Sequence, residues 1–272
     1  MNYRHAFHAG NFGDCLKHAL LLWLLDALQR KPTPLYVLDT HAGAGAYDLS
    51  NLPARRTNES RGGIRRLLEA IAPPLDRYLD LVRQLGLYPG SPALIRALLR
   101  PGDRLACCEL HPEENAALRR SFASDNQTAI HQRDGYEALG ALLPPHEKRG
   151  LVLIDPPFEE PDEFTRLAAS LATAHGRFPS GVLAAWYPVK HRTPVRAFHT
   201  ALQSAGIRDI VTAELLLRAP LDPERLNGCG LLVINPPYRF EAEVAPILHA
   251  LLRSLGTGEP GAEAAVTRLA DE

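Results

Sequence analysis

An excess of charge of either sign is the first thing this 272-residue sequence lacks, since 30 Lys and Arg stand against 31 Asp and Glu. That balance argues against a strongly basic, non-specific coat for nucleic acid, although the field over one cleft can still be positive. Long apolar runs are also missing. The most apolar stretch, Ala19 to Leu25, is bounded by Lys17-His18 and Asp26, far short of the roughly 20 residues that a membrane span needs. Tyr3, Arg4 and His5 lead into Gly10-Asn11 rather than an apolar core, so no secretory leader is expected. The cysteines number only 4, namely Cys15, Cys107, Cys108 and Cys229, with no CxxC pair among them. This argues against a zinc site and a disulfide framework, and points to reduced thiols in a cytoplasmic protein. Cys107 and Cys108 are neighbours in a strand-like stretch and are expected on opposite faces of a sheet.

With 46% hydrophobic and 22% charged residues, the chain has an ordinary globular composition. Asp14 is the expected cap of an amphipathic helix from Cys15 to Arg30. Leu35 to Asp39 reads as a buried strand entering His41-Ala42-Gly43-Ala44-Gly45. Residues 47–102 differ from their surroundings, with helical spacing in Ile64-Leu67-Leu68-Ile71 and in Tyr78-Leu79-Leu81-Val82-Leu85. Ser91 is the expected cap of a further helix, with Pro92 at its first position. Strands are then expected at 104–110, 129–132, 151–154 and 181–187, alternating with helices at 113–123, 161–175 and 193–205. Residues 207–217 and 230–234 suit a terminal strand pair, and 256–261 reads as a loop.

This alternation predicts one α/β domain spanning 1–272, a parallel sheet covered on both faces, with 47–102 as a small helical insertion. In such sheets ligands sit beyond the carboxyl ends of the strands. Asp39, His41, Glu109, Asp134 and Asp155 all fall at those ends, which argues for a single site.

The loop at 39–45 is glycine-rich enough for a tight turn and a close approach to a ligand. It is no phosphate-binding Walker loop, because no Gly-Lys-Ser/Thr follows, and Asp48 stands where a dinucleotide loop has its third glycine. Glu109 can accept two ribose hydroxyls or serve as a solvated turn carboxylate. Asp134 can accept an adenine amino group or belong to a plain Asp-Gly turn.

Asp155-Pro156-Pro157-Phe158 has the least structural excuse. Two prolines remove backbone donors and leave carbonyl oxygens to accept. A carboxylate and a proline carbonyl can then hold both hydrogens of an amino group and aim its lone pair, while Phe158 offers a face for an unstacked base. Asn235-Pro236-Pro237-Tyr238 repeats the pattern. It ends a late strand, expected near the sheet edge, and is read as a structural turn.

The amino-terminal arm carries Tyr3, Arg4, His5 and His8 without cysteine or carboxylate partners at zinc spacing. It reads as a substrate-facing arm or as an uninformative terminus, with no metal site. Arg55, Arg56, Arg61, Arg65 and Arg66 form a basic cluster that suits phosphate contacts or a solvated helix face equally.

Taken in order, Tyr3-Arg4-His5, Phe7 to Asn11, Leu16-Lys17-His18, Leu38 to Gly45, Tyr88-Pro89-Gly90-Ser91-Pro92, Glu109-Leu110-His111-Pro112, Ile154 to Phe158 and Trp186-Tyr187-Pro188 resemble the ribosomal large subunit methyltransferase J family. The resemblance extends to Asn235-Pro236-Pro237 and Gly256-Thr257-Gly258, along nearly the whole chain. It implies a Rossmann-like class I S-adenosylmethionine-dependent methyltransferase acting on the exocyclic N6 of an adenine in 23S rRNA. The transfer would be in-line to a flipped-out base, by a monomer acting on protein-free rRNA, with no obligate protein partner and no membrane. It places S-adenosylmethionine on His18, His41, Ser91, Glu109, Asp134, Gly135 and Asp155. Asp155 becomes the catalytic acceptor, and Tyr3, His5, Lys17 and Phe158 face the substrate. Phe158 departs from the tyrosine common in the family; stacking needs only the ring. Phe12-Gly13 departs as well.

Two other classes compete. A DNA-adenine enzyme usually adds a recognition domain larger than this insertion, and a glutamine-amide enzyme favours Asn where Asp155 stands. A non-catalytic RNA-binding protein has no need of Asp155 or of the strand-end carboxylates.

Overall fold

Alternate residues of the strand Tyr36–Asp39 (β1) bury in two different cores: Val37 packs on one face of the sheet, Tyr36 and Leu38 on the other. The strand Gly150–Ile154 (β6) repeats this, with Leu151 and Leu153 on the first face and Val152 and Ile154 on the second. A strand apolar on both sides is stable only when both faces are covered. Cys107 and Cys108, in Arg104–Cys108 (β4), are divided between the two cores as their adjacency predicts, and all 4 cysteines are free and buried.

The structure, a computed structural model, describes residues 7–50 and 58–271. In chain order, Ala46–Tyr47 (β2) and Tyr88–Pro89 (β3) form a small antiparallel ladder between β1 and β4. The main sheet also takes in Thr128–His131 (β5), Val182–Val189 (β7), Ile210–Leu216 (β8), Gly228–Ile234 (β9) and Glu263–Ala270 (β10). Its 8 strands run in the order β10-β8-β9-β7-β6-β1-β4-β5. The five from β5 to β7 are parallel, giving the Rossmann-like α/β arrangement with its order reversing between β1 and β6. On the first face lie the helix Phe12–Gln29 (α1), the helix Phe240–Leu255 and the short helices between β2 and β4. On the second lie the helices Gly135–Leu142, Glu163–Arg177 and Arg192–Ser204.

Three expectations need correction. The sheet is not parallel throughout, because β9 runs against both β7 and β8, and β10 runs against β8. The end of the chain is therefore more than a strand pair: β10 forms the edge, and β9 lies between two neighbours inside the sheet. Local sequence carries the apolar alternation of a strand but not its direction, which the connecting helices decide. The third concerns caps. Asn11, not Asp14, caps α1, its side chain accepting from the Asp14 N–H at 3.0 Å. Likewise Gly90 precedes the helix Ser91–Leu98, and Ser91 is its first residue.

Candidate active site

The reversal of strand order opens a crevice beyond the carboxyl ends of β1, β4 and β6, and it widens into a cleft of about 890 Å³. That lies in the upper range of small-molecule sites. Lys17, His18, His41, Ser91, Glu109, Asp134, Gly135, Asp155 and Phe158, singled out in the sequence, all line this one cleft. Tyr3 and His5, and Arg55 and Arg56 of the basic cluster, lie outside the described residues. Of that cluster's remainder, Arg66 reaches the cleft wall, its guanidinium donating to the carbonyls of Leu255 and Gly256, while Arg65 caps the Leu49 carbonyl.

Asp155 follows β6 directly. Its Oδ2 accepts from Lys17 Nζ at 2.5 Å, and the same ammonium lies 2.8 Å from Asp14 Oδ1. Lys17 is only 4% exposed. Burial alone pulls the ammonium pKa down, but the two carboxylates outweigh it and hold Lys17 well above the ordinary lysine range. Asp14 is anchored in turn by the Gly10 N–H at 2.9 Å. The sequence shows the Asp14–Lys17 spacing of one helical turn, but not that Asp155 closes the triad from 138 residues away.

Phe158 sits at φ 51°, in the left-handed region that an L residue enters at a cost of about 1–2 kcal/mol. Its ring meets Phe164 edge-on at 4.9 Å and Trp186 at 6.0 Å. Trp186 lies within β7, three residues before its end. Here it forms part of the cleft wall, and a side chain on Gly13 would meet its ring at 3.1 Å.

The strand-end carboxylates are each held by backbone donors. Glu109 accepts from the N–H groups of Gly43 at 2.9 Å and His111 at 2.7 Å. Burial raises its pKa, and those two donors oppose the rise. A carboxylate has about four acceptor directions, so both oxygens can still receive hydroxyls. Asp134 caps the helix Gly135–Leu142, its Oδ1 accepting from the Tyr136 and Glu137 amides, while Oδ2 stands 4.0 Å from Arg166. The cap and the site are thus the same residue.

Arg166 also lies 4.9 Å over the Tyr136 ring, whose hydroxyl donates to Glu163 at 2.6 Å. The sequence does not mark these three. They lie in a helix and after an Asp-Gly turn, where nothing local distinguishes them. Gly135 has no room for a Cβ, which would fall 2.2 Å from the Thr40 carbonyl and 2.7 Å from His41 Cε1. His41 shares a 2.8 Å hydrogen bond with the Thr40 hydroxyl, and burial lowers its pKa to about 4, so the ring is neutral at physiological pH.

Asp39 ends β1 with no exposure at all, and neither oxygen has a hydrogen-bond partner of good geometry. Burial raises its pKa to about 7; the nearby Ser91 hydroxyl opposes the rise, and the negative Asp155 adds to it.

The second tetrapeptide behaves differently. Because β9 is antiparallel, Ile234 pairs with Leu183 near the start of β7, so Asn235 lies at the opposite pole from Asp155. Its amide donates to the carbonyls of Pro179 at 2.7 Å and Gly181 at 2.8 Å. It ties a turn.

On the amino-terminal side, Glu59 bridges His8 at 2.8 Å and Asn11 at 3.0 Å. The Gly10 carbonyl accepts from the Ile64 N–H at 2.8 Å, and a Cβ on Gly63 would fall 2.1 Å from that same oxygen. The base of the arm therefore rests directly on the backbone of the helical segment. Among the described residues no group of three or more His, Cys, Asp or Glu is placed to hold a metal, and no helix is long and apolar enough to cross a membrane.

Comparison with known proteins covers the same span as these features. The family model described as "Ribosomal RNA large subunit methyltransferase D, RlmJ" matches residues 32–266. The chain is 39% identical over 269 residues to ribosomal RNA large subunit methyltransferase J of Escherichia coli K12, covering 95% of this chain and 96% of the relative. It is 37% identical over 270 residues to the protein of that name in Haemophilus influenzae, with the same coverage. The crystal structure of protein LPL1258 from Legionella pneumophila superposes with a TM-score of 0.88 at 35% identity, over 96% of this chain and 98% of that one.

Proposed function

From the fact that this chain belongs to the ribosomal RNA large subunit methyltransferase J family, we propose that it methylates the exocyclic N6 of a specific adenine in 23S rRNA, using S-adenosylmethionine. The observation that carries the reading is the Lys17–Asp155 contact at 2.5 Å, in the wall of a cleft that also holds Glu109, Asp134 and Gly135. The cleft fits the proposed donor chemically. Glu109 offers acceptors for ribose hydroxyls, Asp134 Oδ2 one for an adenine amino group, and Gly135 a wall that only a glycine can form. His18, His41 and Ser91 complete the set of holding residues, and Asp155 borders it.

When bound, S-adenosylmethionine supplies an electrophilic methyl group on a sulfonium; everything else falls to the chain's own side chains. Lys17 occupies Oδ2 of Asp155, so Oδ1 is the oxygen left to accept a hydrogen of the adenine amine. The Pro156 carbonyl takes the other hydrogen, which aims the nitrogen lone pair; the effect is positional. Phe158, braced by Phe164 and Trp186, gives the extruded base a face to stack on. The amine of adenine is not basic, so no prior deprotonation is needed, and its proton leaves after transfer, through Asp155. Tyr3 and His5 are assigned to substrate contact, in a cytoplasmic enzyme that acts as a monomer on protein-free rRNA.

Labelled methyl transfer to unmodified 23S rRNA, followed by nucleoside mass spectrometry, tests this. The product should be N6-methyladenosine, and Asp155→Ala should lower the rate by on the order of 10²-fold or more. Undiminished transfer in that variant, or a methyl group on another atom, overturns the proposal.

A further inference from the structure

Asp14 is a buried carboxylate in the first turn of α1, a place where negative charge is favoured. Its two oxygens serve different parts of the molecule. Oδ2 accepts from the Gly10 N–H at 2.9 Å, at the base of the amino-terminal arm. Oδ1 accepts from Lys17 Nζ at 2.8 Å, one helical turn further on, and the same ammonium reaches Asp155 Oδ2 at 2.5 Å. A line of hydrogen bonds thus runs from the backbone of the arm to the carboxylate that ends β6.

Only a carboxylate can hold the middle of this line. An amide has one oxygen, so it would set its NH2 group against either the Gly10 N–H or the ammonium, donor against donor. Lysine is a compact charge on a flexible stem, and one partner does not fix where that charge sits. Burial presses Lys17 towards the neutral amine, and the two carboxylates oppose it, Asp14 more strongly than Asp155. Ionisable groups on other elements also feel the ammonium, namely Asp39 at the end of β1, Tyr47 in β2 and Cys229 in β9. Burial keeps Tyr47 and Cys229 neutral past the ordinary range of their types, and Asp39 is an anion above about pH 7.

We propose that Asp14 is a positioning residue for methyl transfer. Through Lys17 it holds Asp155 with Oδ2 engaged and Oδ1 free for the amine, and its second oxygen ties that hold to the base of the arm. This inference rests on the role proposed for Asp155.

Transfer of labelled methyl to unmodified 23S rRNA by the full chain tests it. Between about pH 7 and 9 the wild-type kcat should stay level, because Lys17 keeps its proton. In Asp14→Asn, kcat should be lower throughout and should fall further across that span, by a factor on the order of ten. The KM for S-adenosylmethionine should move far less than kcat. Asp14→Glu keeps the charge and should restore the level profile, whatever its absolute rate. In a Lys17→Met background Asp14→Asn should lower kcat no further, since its effect passes through the ammonium. A level profile in Asp14→Asn, or an equal loss in both backgrounds, overturns the proposal. The ¹⁵N shift of Lys17 Nζ, read without substrate at pH 9, should be that of an ammonium in the wild type and of a neutral amine in Asp14→Asn; identical shifts overturn it as well. A methyl group found on another atom than adenine N6 would strike the proposed function and leave that comparison standing. Should Asp14→Asn fail to fold, Asp155→Asn takes its place: with Asp14 intact the Lys17 signal should remain that of an ammonium at pH 9, and a neutral amine there counts against the proposal.

Discussion

Replacing Asp39 by Asn removes a carboxylate that sits with no exposure and with neither oxygen well hydrogen-bonded. Its pKa is raised from 3.8 to about 7, first by burial. The folded protein therefore binds this proton more tightly than the unfolded chain does. Between about pH 4 and 7 the native state carries more protons at this site than the unfolded state, so stability falls as pH rises through that window. At about 1.36 kcal/mol per pH unit, the ionised form costs on the order of 4 kcal/mol above pH 7. For a chain of this size that corresponds to a melting shift on the order of 10 °C. The assay is thermal or urea unfolding of both proteins at pH 5 and pH 8. The wild type should lose more stability between the two than Asp39→Asn, by about 2.7 kcal/mol, the share of that figure that falls between pH 5 and 7, because every other titrating group is shared. The absolute stability of the variant matters less, since the new amide also needs partners. Parallel pH profiles would refute the reasoning, as would a wild type that gains on Asp39→Asn between pH 5 and 8.

Further outcomes follow from the same geometry. Lys17→Met leaves Asp14 and Asp155 without the cation between them, and should destabilise the fold by about 3–5 kcal/mol in urea titrations while depressing methyl transfer. Gly135→Ala drives a methyl into the Thr40 carbonyl and the His41 ring; it should cost about 1–3 kcal/mol of stability and weaken S-adenosylmethionine binding in calorimetry. Asn235→Ala loses two hydrogen bonds and places Ala at φ 55°. It should lower the melting temperature, with a loss of about 2–4 kcal/mol, yet leave kcat unchanged below that temperature. The His8–Glu59 pair, in which the hydrogen bond to Glu59 raises the His8 pKa, should hold the arm most firmly below the ordinary histidine pKa and loosen as pH rises past the raised one. Hydrogen exchange at residues 8–11 can follow this.

The site was more legible than the fold around it. Asp39, Glu109 and Asp155 announce themselves because each closes or follows an apolar strand, and Asp134 because an Asp-Gly pair follows a short strand; parallel strands must deliver their carboxyl ends to one edge. The helix Phe240–Leu255 was overlooked, although Phe240, Val244, Ile247, Leu248, Leu251 and Leu255 are spaced for one buried face; Pro246 inside it masks the pattern. Strand β10 has only partly buried and exposed residues, as an edge strand does, and so lacks the apolar signal. Strand direction was invisible in principle. The edge position expected for Asn235 is not the one it has; the reversal of β9, inside the sheet, carries it to the pole opposite Asp155. Lys17, expected to face the substrate, joins two carboxylates far apart in sequence, a relation that only tertiary structure creates.

The contact between Gly10 and Gly63 has a consequence for variation and engineering. Two backbones that touch without side chains between them leave no adjustable volume, so neither can be shifted by repacking. Residues 8–11 taken from a relative would therefore keep this contact only if residues 58–64 came with them. An insertion between Glu59 and Gly63 would break this contact. Residues 8–11 and that short stretch are in effect one part, divided in sequence.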